Sequence, residues 1–210
     1  MGYNGIVWET KHGGKLAGIN SIGTCCLNNE FCLARMKDNE SVCSHCYANT
    51  YMKMRKALKE HLIENGNTLK ARILIENEVP TTNDLIYRFE SFGDIANETQ
   101  LINYLNICKR NPYTRFALWT KNVGVCERVL NKMGIDKPSN LSLVISSNKL
   151  NIPEQLDMEK YWFVDHIFTV YDKNFIDSND IDINCGANSC LKCQKCYSRD
   201  TDFYVNEKLK

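Results

Sequence analysis

Cysteine residues dominate the chemistry that this sequence could perform. Nine of the eleven cysteines lie in two groups near opposite ends of the chain. The amino-terminal cysteine group contains Cys25, Cys26, Cys32, Cys43 and Cys46, and the carboxyl-terminal cysteine group contains Cys185, Cys190, Cys193 and Cys196. Cysteines that only pack in a core do not cluster in this way, whereas thiolates that hold a metal must gather in one small sphere. The pattern therefore predicts two metal sites. The other two cysteines, Cys108 and Cys126, lie in predicted helices and are expected to be small core residues rather than ligands.

The carboxyl-terminal cysteine group has the spacing C-x4-C-x2-C-x2-C. Its last three cysteines have the spacing of ferredoxin-type loops, which wrap around an iron–sulfur cluster, and Cys185 could supply a fourth thiolate. The further Cys-Pro of the ferredoxin pattern is absent. Zinc ribbons pair two separated C-x2-C units, so the spacing favours an iron–sulfur cluster over zinc. A structural zinc ion that pins the tail is the alternative.

The amino-terminal cysteine group is less regular. Cys43 and Cys46 form a C-x2-C pair, and Cys32 is the expected third ligand. Cys25 and Cys26 are adjacent, so both cannot easily face one site, although either could replace Cys32. Three cysteine ligands leave one iron of a four-iron cluster open, and an open coordination position is what a catalytic metal site requires. This group is therefore the predicted catalytic metal site.

Composition and charge describe an ordinary globular protein. Apolar residues make up 43% of the chain and charged residues 24%, and the net charge is +1, which indicates no general attraction to nucleic acid or membranes. The amino-terminal stretch lacks the apolar core of a signal peptide, and no apolar run approaches the length of a membrane span. We therefore expect a cytoplasmic protein, and a reducing compartment favours metal ligation over disulfides. A secreted disulfide-rich protein is the alternative.

Apolar patterning predicts an α/β fold. Strands are predicted within residues 16–24, 85–94, 115–122, 140–148 and 165–172, and helices at 47–66, at 68–75, from Asn97 and at 124–133. Residues 172–184 are polar and are predicted as a loop. Strands that alternate with helices are typical of a parallel sheet, and both an open sheet and an incomplete (β/α) barrel fit. We expect one unit at 1–180 and a cysteine-rich, metal-binding tail at 181–210.

Polar residues follow the predicted strands directly. They are Gly93 and Asp94, Lys121, and Ser146 and Asn148. Ligands of parallel α/β folds bind beyond the carboxyl ends of the strands, so these residues and the amino-terminal cysteine group are expected to share one site. For Lys121 and Asn148 the alternative is a solvated loop position, and for Asp94 it is a turn or helix-start position.

The order of these parts resembles the radical S-adenosylmethionine (SAM) superfamily over residues 16–171. That resemblance implies a partial (β/α)6 TIM-like barrel, a [4Fe–4S] cluster held by three cysteines after the first strand, and SAM bound to the open iron. The superfamily spacing is C-x3-C-x2-C, whereas this chain offers Cys32-x10-Cys43-x2-Cys46. The segment 91–94, Ser-Phe-Gly-Asp, stands where the superfamily has Gly-Gly-Glu.

A second resemblance spans most of the chain and is to a phage and prophage family called gene product 88. The segments that carry it are GGKLAGINSIGT, VCSHCYA, RFESFGDI, FALWTKN, NLSLVISSN, IFTVYDK and the final C-x2-C-x2-CY. A neighbouring phage family of radical SAM-like proteins shares the Gly-Asp turn and the Thr-Lys strand end. These shared features support a barrel, and the final four cysteines would then resemble the auxiliary clusters that many radical SAM enzymes carry.

The function implied by the radical SAM resemblance is the generation of a 5′-deoxyadenosyl radical from SAM. Cys32, Cys43 and Cys46 would hold the catalytic cluster, and the carboxyl-terminal cysteine group would hold an auxiliary one. Gly93 and Asp94 would meet the SAM amino group, and Lys121, Ser146 and Asn148 would line the SAM site. The implied partners are SAM, an unknown substrate and a reductase or ferredoxin-like electron donor.

Two other functions fit the same residues. The protein could be a non-catalytic phage protein, stabilised by zinc or iron–sulfur clusters, that binds nucleic acid or a host factor. Aromatic and basic residues between Tyr47 and Lys59 could form its basic face, although Glu60 and Glu64 follow at once and favour an ordinary solvated helix. An iron–sulfur protein in electron transfer or sulfur handling is the third possibility.

Overall fold

The computed structural model describes residues 7–209 and shows a mixed α/β fold built on one sheet of seven strands. The strands are β1 Glu9–Lys11, β2 Asn20–Ile22, β3 Ile86–Phe89, β4 Arg115–Thr120, β5 Leu141–Ser146, β6 His166–Tyr171 and β7 Tyr204–Lys208. Their order in the sheet follows their order in the sequence. β1 is antiparallel to β2, and every later neighbour pairs in parallel, from β2 to β7. The sheet is open, with β1 and β7 at its two edges.

Helices lie in every connection between the parallel strands except the one from β5 to β6. They are α1 Glu30–Lys37, α2 Tyr47–Met54, α3 Lys56–Ala71, α4 Glu98–Arg110, α5 Val123–Glu127, α6 Lys173–Asn179 and α7 Cys190–Cys193. A π-helical turn, Arg128–Lys132, continues α5, and Gly134 follows it with a positive φ of 64°. Among the helices of residues 7–209, none combines the length and the apolar character that a membrane span requires. The predicted α/β class and all five predicted strands are confirmed.

Three predicted element boundaries are wrong. The helix predicted at 47–66 is broken at Arg55, whose backbone is not helical (φ −119°, ψ 80°), and α3 then runs on through Gly66 to Ala71. Gly66 does not end the helix, because Leu69 on the next turn is fully buried in the main core and that burial favours a continued helix. The predicted 68–75 helix is therefore only the end of α3.

The predicted loop at 172–184 contains the helix α6, and its start is fixed by local contacts. Asp172 caps α6 by accepting a hydrogen bond from the amide of Phe175, and Lys173 pairs with Asp177 one turn later. These contacts stabilise a polar helix that lacks a buried residue. Hydrophobic periodicity cannot detect such a helix.

The helix predicted from Asn97 is confirmed as α4. The side chain of Asn97 accepts a hydrogen bond from the amide of Gln100, as an N-cap should. Leu101, Leu105 and Cys108 are fully buried on the face that α4 turns to the sheet. Helix α4 is thereby held against β3, whose end carries part of the candidate site.

The sheet has two differently covered faces. Helices α4 and α5 cover one face, where Phe89, Phe116 and Leu143 belong to the main core. The opposite face carries Ile86, Ala117 and Trp119, and the carboxyl-terminal cysteine segment packs on it through buried Tyr197 and through Cys190. We call this the tail-covered face. Because β7 pairs with β6, the expected boundary between residues 180 and 181 falls between two neighbouring strands of one sheet.

Candidate functional site

The amino-terminal cysteine group lies beyond the carboxyl end of β2. Cys25 and Cys26 follow that strand at once and are buried, whereas Cys32 is on α1 and is partly buried. Cys43 lies in a short 3-10 turn and Cys46 caps it, and the hydroxyl of Ser41 accepts a hydrogen bond from the Cys43 amide at the turn's start. The chain thus returns to the same end of the sheet after α1, which brings the five cysteines into one region.

Within this group, Cys26 is the thiol that touches the others. It donates hydrogen bonds to Cys25 and Cys46, and these bonds lower the pKa of each acceptor thiol to about 6. The same two contacts raise the pKa of Cys26 itself. Cys25 and Cys46 therefore have thiolate character near neutral pH, which is the form that binds metals.

The three predicted ligands share this neighbourhood without converging. Burial raises the pKa of Cys32, and the charges of Asp94, Glu90, Cys43 and Cys46 raise it further. In the described part of the chain, however, no three His, Cys, Asp or Glu side chains are arranged so that they could hold one metal ion. The residue types suit a thiolate-bound metal, whereas the present side-chain positions do not form its coordination shell.

Asp94 joins three elements at the carboxyl end of the sheet. Its carboxylate accepts hydrogen bonds from the Thr120 hydroxyl and from the amides of Ile95 and Lys121 (2.8 and 2.9 Å), and its carbonyl accepts one from Asn29 at 2.7 Å. Burial raises the pKa of this carboxyl, and the bonds from Thr120 and Lys121 oppose that rise. Asp94 thus connects the ends of β3 and β4 to the start of α1.

Glu90 is a functional candidate that the sequence reasoning missed. Its carboxylate is buried, accepts hydrogen bonds from the Thr24 amide (3.1 Å) and the Gln100 side chain (2.6 Å), and is also bonded by the Tyr104 hydroxyl. Its φ of 55° is in the left-handed region, which costs a residue with a Cβ roughly 1–3 kcal/mol. Burial raises the pKa of Glu90 to about 7, against the hydrogen bonds that lower it. In the sequence, the only sign that Glu90 is a functional residue is its position as a single glutamate directly after an apolar strand.

Gly93 is the place where the chain after β3 approaches the chain after β2 most closely. A Cβ on this glycine would lie 2.5 Å from the carbonyl oxygen of Thr24 and 2.6 Å from Oε2 of Glu90. Only a glycine fits between this backbone and the buried carboxylate. The predicted contact of Gly93 with a SAM amino group stays a prediction.

The remaining predicted site residues lie at the ends of β4 and β5. Lys121 is partly exposed. Its positive charge lowers the pKa of Cys43, which burial raises. The carbonyl of Asn148 accepts a hydrogen bond from the amide of Val42 at 2.8 Å, so the Cys43 turn is attached to the end of β5. Ser146 is buried, and the Oδ1 atom of Asn148 is buried without a hydrogen-bond partner among residues 7–209. These residues therefore border the amino-terminal cysteine group.

The carboxyl-terminal cysteine group lies in the first part of the tail, on and around the short helix α7. Cys190 and Cys193 bound α7, which Ser189 caps, and the chain then turns at Gln194 with a φ of 54°. The Lys15 ammonium lies 3.1 Å from the sulfur of Cys185. Burial and the other three cysteines raise the pKa of Cys196 to about 12. The four sulfurs are thus neighbours, but they too form no three-ligand arrangement within residues 7–209.

Cys108 and Cys126, the two cysteines outside these groups, are fully buried in the main core. The structure confirms their predicted role as small core residues. All eleven cysteines are free thiols.

We predict that Gly93→Ala destabilises the protein by about 2 kcal/mol, because the new methyl group must displace the Thr24 backbone or the Glu90 carboxylate. Urea unfolding monitored by circular dichroism measures the loss. Gly13→Ala is the control, since a Cβ there meets no atom within 4 Å. Equal stability of the two variants would contradict the close approach.

We predict that Glu90→Gln flattens the pH dependence of stability. The unfolded carboxyl loses its proton near its ordinary pKa, whereas the folded one keeps it up to about pH 7. The folded state therefore binds more protons between these values, and the free energy of unfolding falls by up to about 3 kcal/mol as the pH rises through them. Urea titrations at about pH 5 and about pH 7.5 measure this fall.

Asp94 contributes to that fall in the same direction, since its pKa is also raised, so the Gln variant keeps part of the slope. Glu76→Gln is the control, because the Glu76 side chain is 93% exposed and should leave the slope unchanged. An unaltered slope in Glu90→Gln would show that Glu90 is ionised throughout this range.

Comparison with known proteins finds one family. The family model described as "Gene product 88" matches residues 6–204, which is nearly the whole chain. No curated protein and no solved structure matches the chain. The resemblance to the radical SAM superfamily finds no support in these comparisons. The extent of the match establishes that the chain belongs to the gene product 88 family.

Proposed function

We propose that this protein is an iron–sulfur protein that binds a [4Fe–4S] cluster through its amino-terminal cysteine group and carries out a radical SAM-type reaction. One observation supports the proposal most strongly. The amino-terminal cysteine group, Lys121 and Asn148 gather at the carboxyl ends of consecutive parallel strands, where α/β enzymes bind their ligands. A metal site that only stabilised the fold would not need to lie at the carboxyl ends of the strands.

Cys43, Cys46 and either Cys26 or Cys32 would hold the cluster. Cys46 is favoured because its pKa is lowered to about 6 by the bond from Cys26, and Lys121 lowers it further. Cys26 competes with Cys32 because it already touches Cys46. The coordination shell is not formed in this structure, so the thiols must reorient when a cluster binds. A bound cluster of this type supplies one electron to SAM.

The strand order supports a partial (β/α)6 barrel. The six strands β2 to β7 are parallel and follow one another in sequence order, which is the arrangement of a (β/α) barrel that has not closed. In such a barrel, the chain's own residues at the rim would bind SAM. Asn148 is the best candidate, since its buried Oδ1 accepts no hydrogen bond from the described part of the chain and a ligand could supply the donor. The Asp94 carboxylate already accepts three protein donors and would act by positioning the rim.

The carboxyl-terminal cysteine group would hold an auxiliary cluster. The charges of Cys185, Cys190 and Cys193 raise the pKa of Cys196, and the Lys15 ammonium donates to the sulfur of Cys185. Such a hydrogen bond would stabilise the negative charge of a thiolate ligand. A reductase or a ferredoxin-like protein would deliver electrons from outside.

Metal analysis tests the cluster proposal. Protein purified without oxygen should be brown and contain about eight irons per chain, as expected for two four-iron clusters. Cys43→Ala should lose about half of that iron and Cys193→Ala the other half. The variants Cys26→Ala and Cys32→Ala identify the third ligand, because only the true ligand should reduce the iron content. Colourless protein with stoichiometric zinc would refute the proposal.

SAM binding tests the finer proposal. Adding SAM should change the electron paramagnetic resonance spectrum of the reduced protein, and Cys43→Ala should abolish the change while Cys193→Ala retains it. Asn148→Ala should bind SAM about tenfold more weakly, because it removes polar partners from a buried site. The exposed Asn67→Ala is its control. If SAM does not change the spectrum of the iron-loaded wild type, radical SAM chemistry is rejected and electron transfer remains as the function.

The alternative is a non-catalytic phage protein, stabilised by zinc or by clusters, that binds nucleic acid or a host factor. Lys53, Arg55 and Lys56 are exposed next to the exposed Tyr51, which would suit such a surface. Lys56 has Glu60 at 3.9 Å, however, so the basic face is partly neutralised. Zinc content together with binding to single-stranded nucleic acid would favour this function.

A further inference from the structure

Three buried polar atoms on one side of the sheet have no hydrogen-bond partner within residues 7–209. They are Nε of Arg88, Oγ of Ser142 and Oη of Tyr197. Ser142 is 2% exposed and Tyr197 is 4% exposed. Buried polar groups in folded proteins almost always have partners, and each exception requires an explanation. Three exceptions in one place point to a missing common partner.

The strand register puts two of the three residues, Arg88 and Ser142, on the same side of the sheet. Arg88 of β3 pairs with Ala117 of β4, and Ala117 pairs with Ser142 of β5. Residues paired across neighbouring strands face the same side, and the strands lie about 4.8 Å apart. Arg88 and Ser142 therefore flank Ala117 on the tail-covered face.

Tyr197 and Trp119 complete the surroundings. Tyr197 packs against Ala117, and its ring meets that of Trp119 edge to face at 5.9 Å between centroids. The guanidinium of Arg88 lies 3.9 Å from the centroid of the Trp119 ring. The small side chain of Ala117 forms the floor of this arrangement, the ring of Tyr197 covers it, and the aromatic rings hold the arginine in place.

The charge of this place is positive and uncompensated. In the described part of the chain, no carboxylate forms an ion pair with Arg88. An arginine Nε is only a donor, and the hydroxyls of Ser142 and Tyr197 can both donate. A group that accepts several hydrogen bonds and carries negative charge satisfies all three atoms, and an oxyanion is such a group, with several acceptor oxygens that suit an arginine.

We propose that Arg88, Ser142 and Tyr197 bind a small oxyanion, the carboxylate or phosphate group of a small molecule, between the sheet and the cysteine-rich tail. This site does not depend on a bound cluster. The positive charge of Arg88 opposes the rise in pKa that burial imposes on Cys190, Cys196 and Tyr197, which places the ligand group beside the carboxyl-terminal cysteine group.

Binding of simple anions tests this site. The full-length protein is titrated separately with inorganic phosphate and with acetate at constant ionic strength, while the thermal midpoint and the NMR signal of the Ala117 methyl group are followed. We expect a saturable response to at least one anion, and the tighter one identifies the ligand class. Arg88→Met should weaken binding at least about tenfold, because it removes the charged donor. The exposed Arg110→Met should bind like the wild type.

Tyr197→Phe separates a binding site from a merely unpaired hydroxyl. If the hydroxyl binds the anion, this variant should fold normally and bind several-fold more weakly. If the hydroxyl is unpaired for no purpose, Tyr197→Phe should be more stable than the wild type and bind unchanged. The proposal is overturned if neither anion gives a saturable response, or if Arg88→Met and Arg110→Met bind alike.

Discussion

The candidate site depends on the hydrogen bonds that the buried carboxylate of Glu90 accepts. This carboxylate joins three separate parts of the chain: Thr24 beside the first cysteines, its own position at the end of β3, and Gln100 and Tyr104 on α4. Because a buried carboxylate is costly without hydrogen bonds, each of these partners must be in place for the others to be stable. The direction of the chain after β2, and therefore the position of Cys25 and Cys26, follows from this one acid.

Charge balance at the carboxyl end of the sheet follows from the same arrangement. Two buried carboxyls, Glu90 and Asp94, lie close to the amino-terminal cysteine group and raise the pKa of Cys32. Lys121 is the positive charge that acts in the opposite direction on Cys43 and Cys46. The region therefore contains more potential negative charges than positive ones, and a bound cation or metal would relieve that imbalance. This electrostatic condition agrees with metal binding and does not depend on any family resemblance.

The sequence predicts the elements that local chemistry determines. The five strands are read from their apolar runs, α4 from the Asn97 cap, and Cys108 and Cys126 from their positions on helices. β7 is missed because its residues, Tyr204–Lys208, are largely polar and gain their place only by pairing with β6. Glu90 is missed because its importance comes from partners up to 66 residues away in sequence. Long-range contacts of this kind leave no periodic trace in a single sequence.

The tail connects the two cysteine groups through the sheet itself. The carboxyl-terminal cysteine segment covers the face on which Arg88 lies, while the amino-terminal cysteine group occupies the end of the same strands. Arg88 is one residue before Phe89, the last residue of β3, and Glu90 follows directly. One short segment, 88–94, therefore carries the arginine of the tail-covered face, the acid that fixes the first cysteines and the glycine that lies against Thr24. A change in how the tail packs would act on the amino-terminal cysteine group through this segment and through β2, because Ile86 of β3 and Ile19, directly before β2, both pack in the cluster of Tyr197.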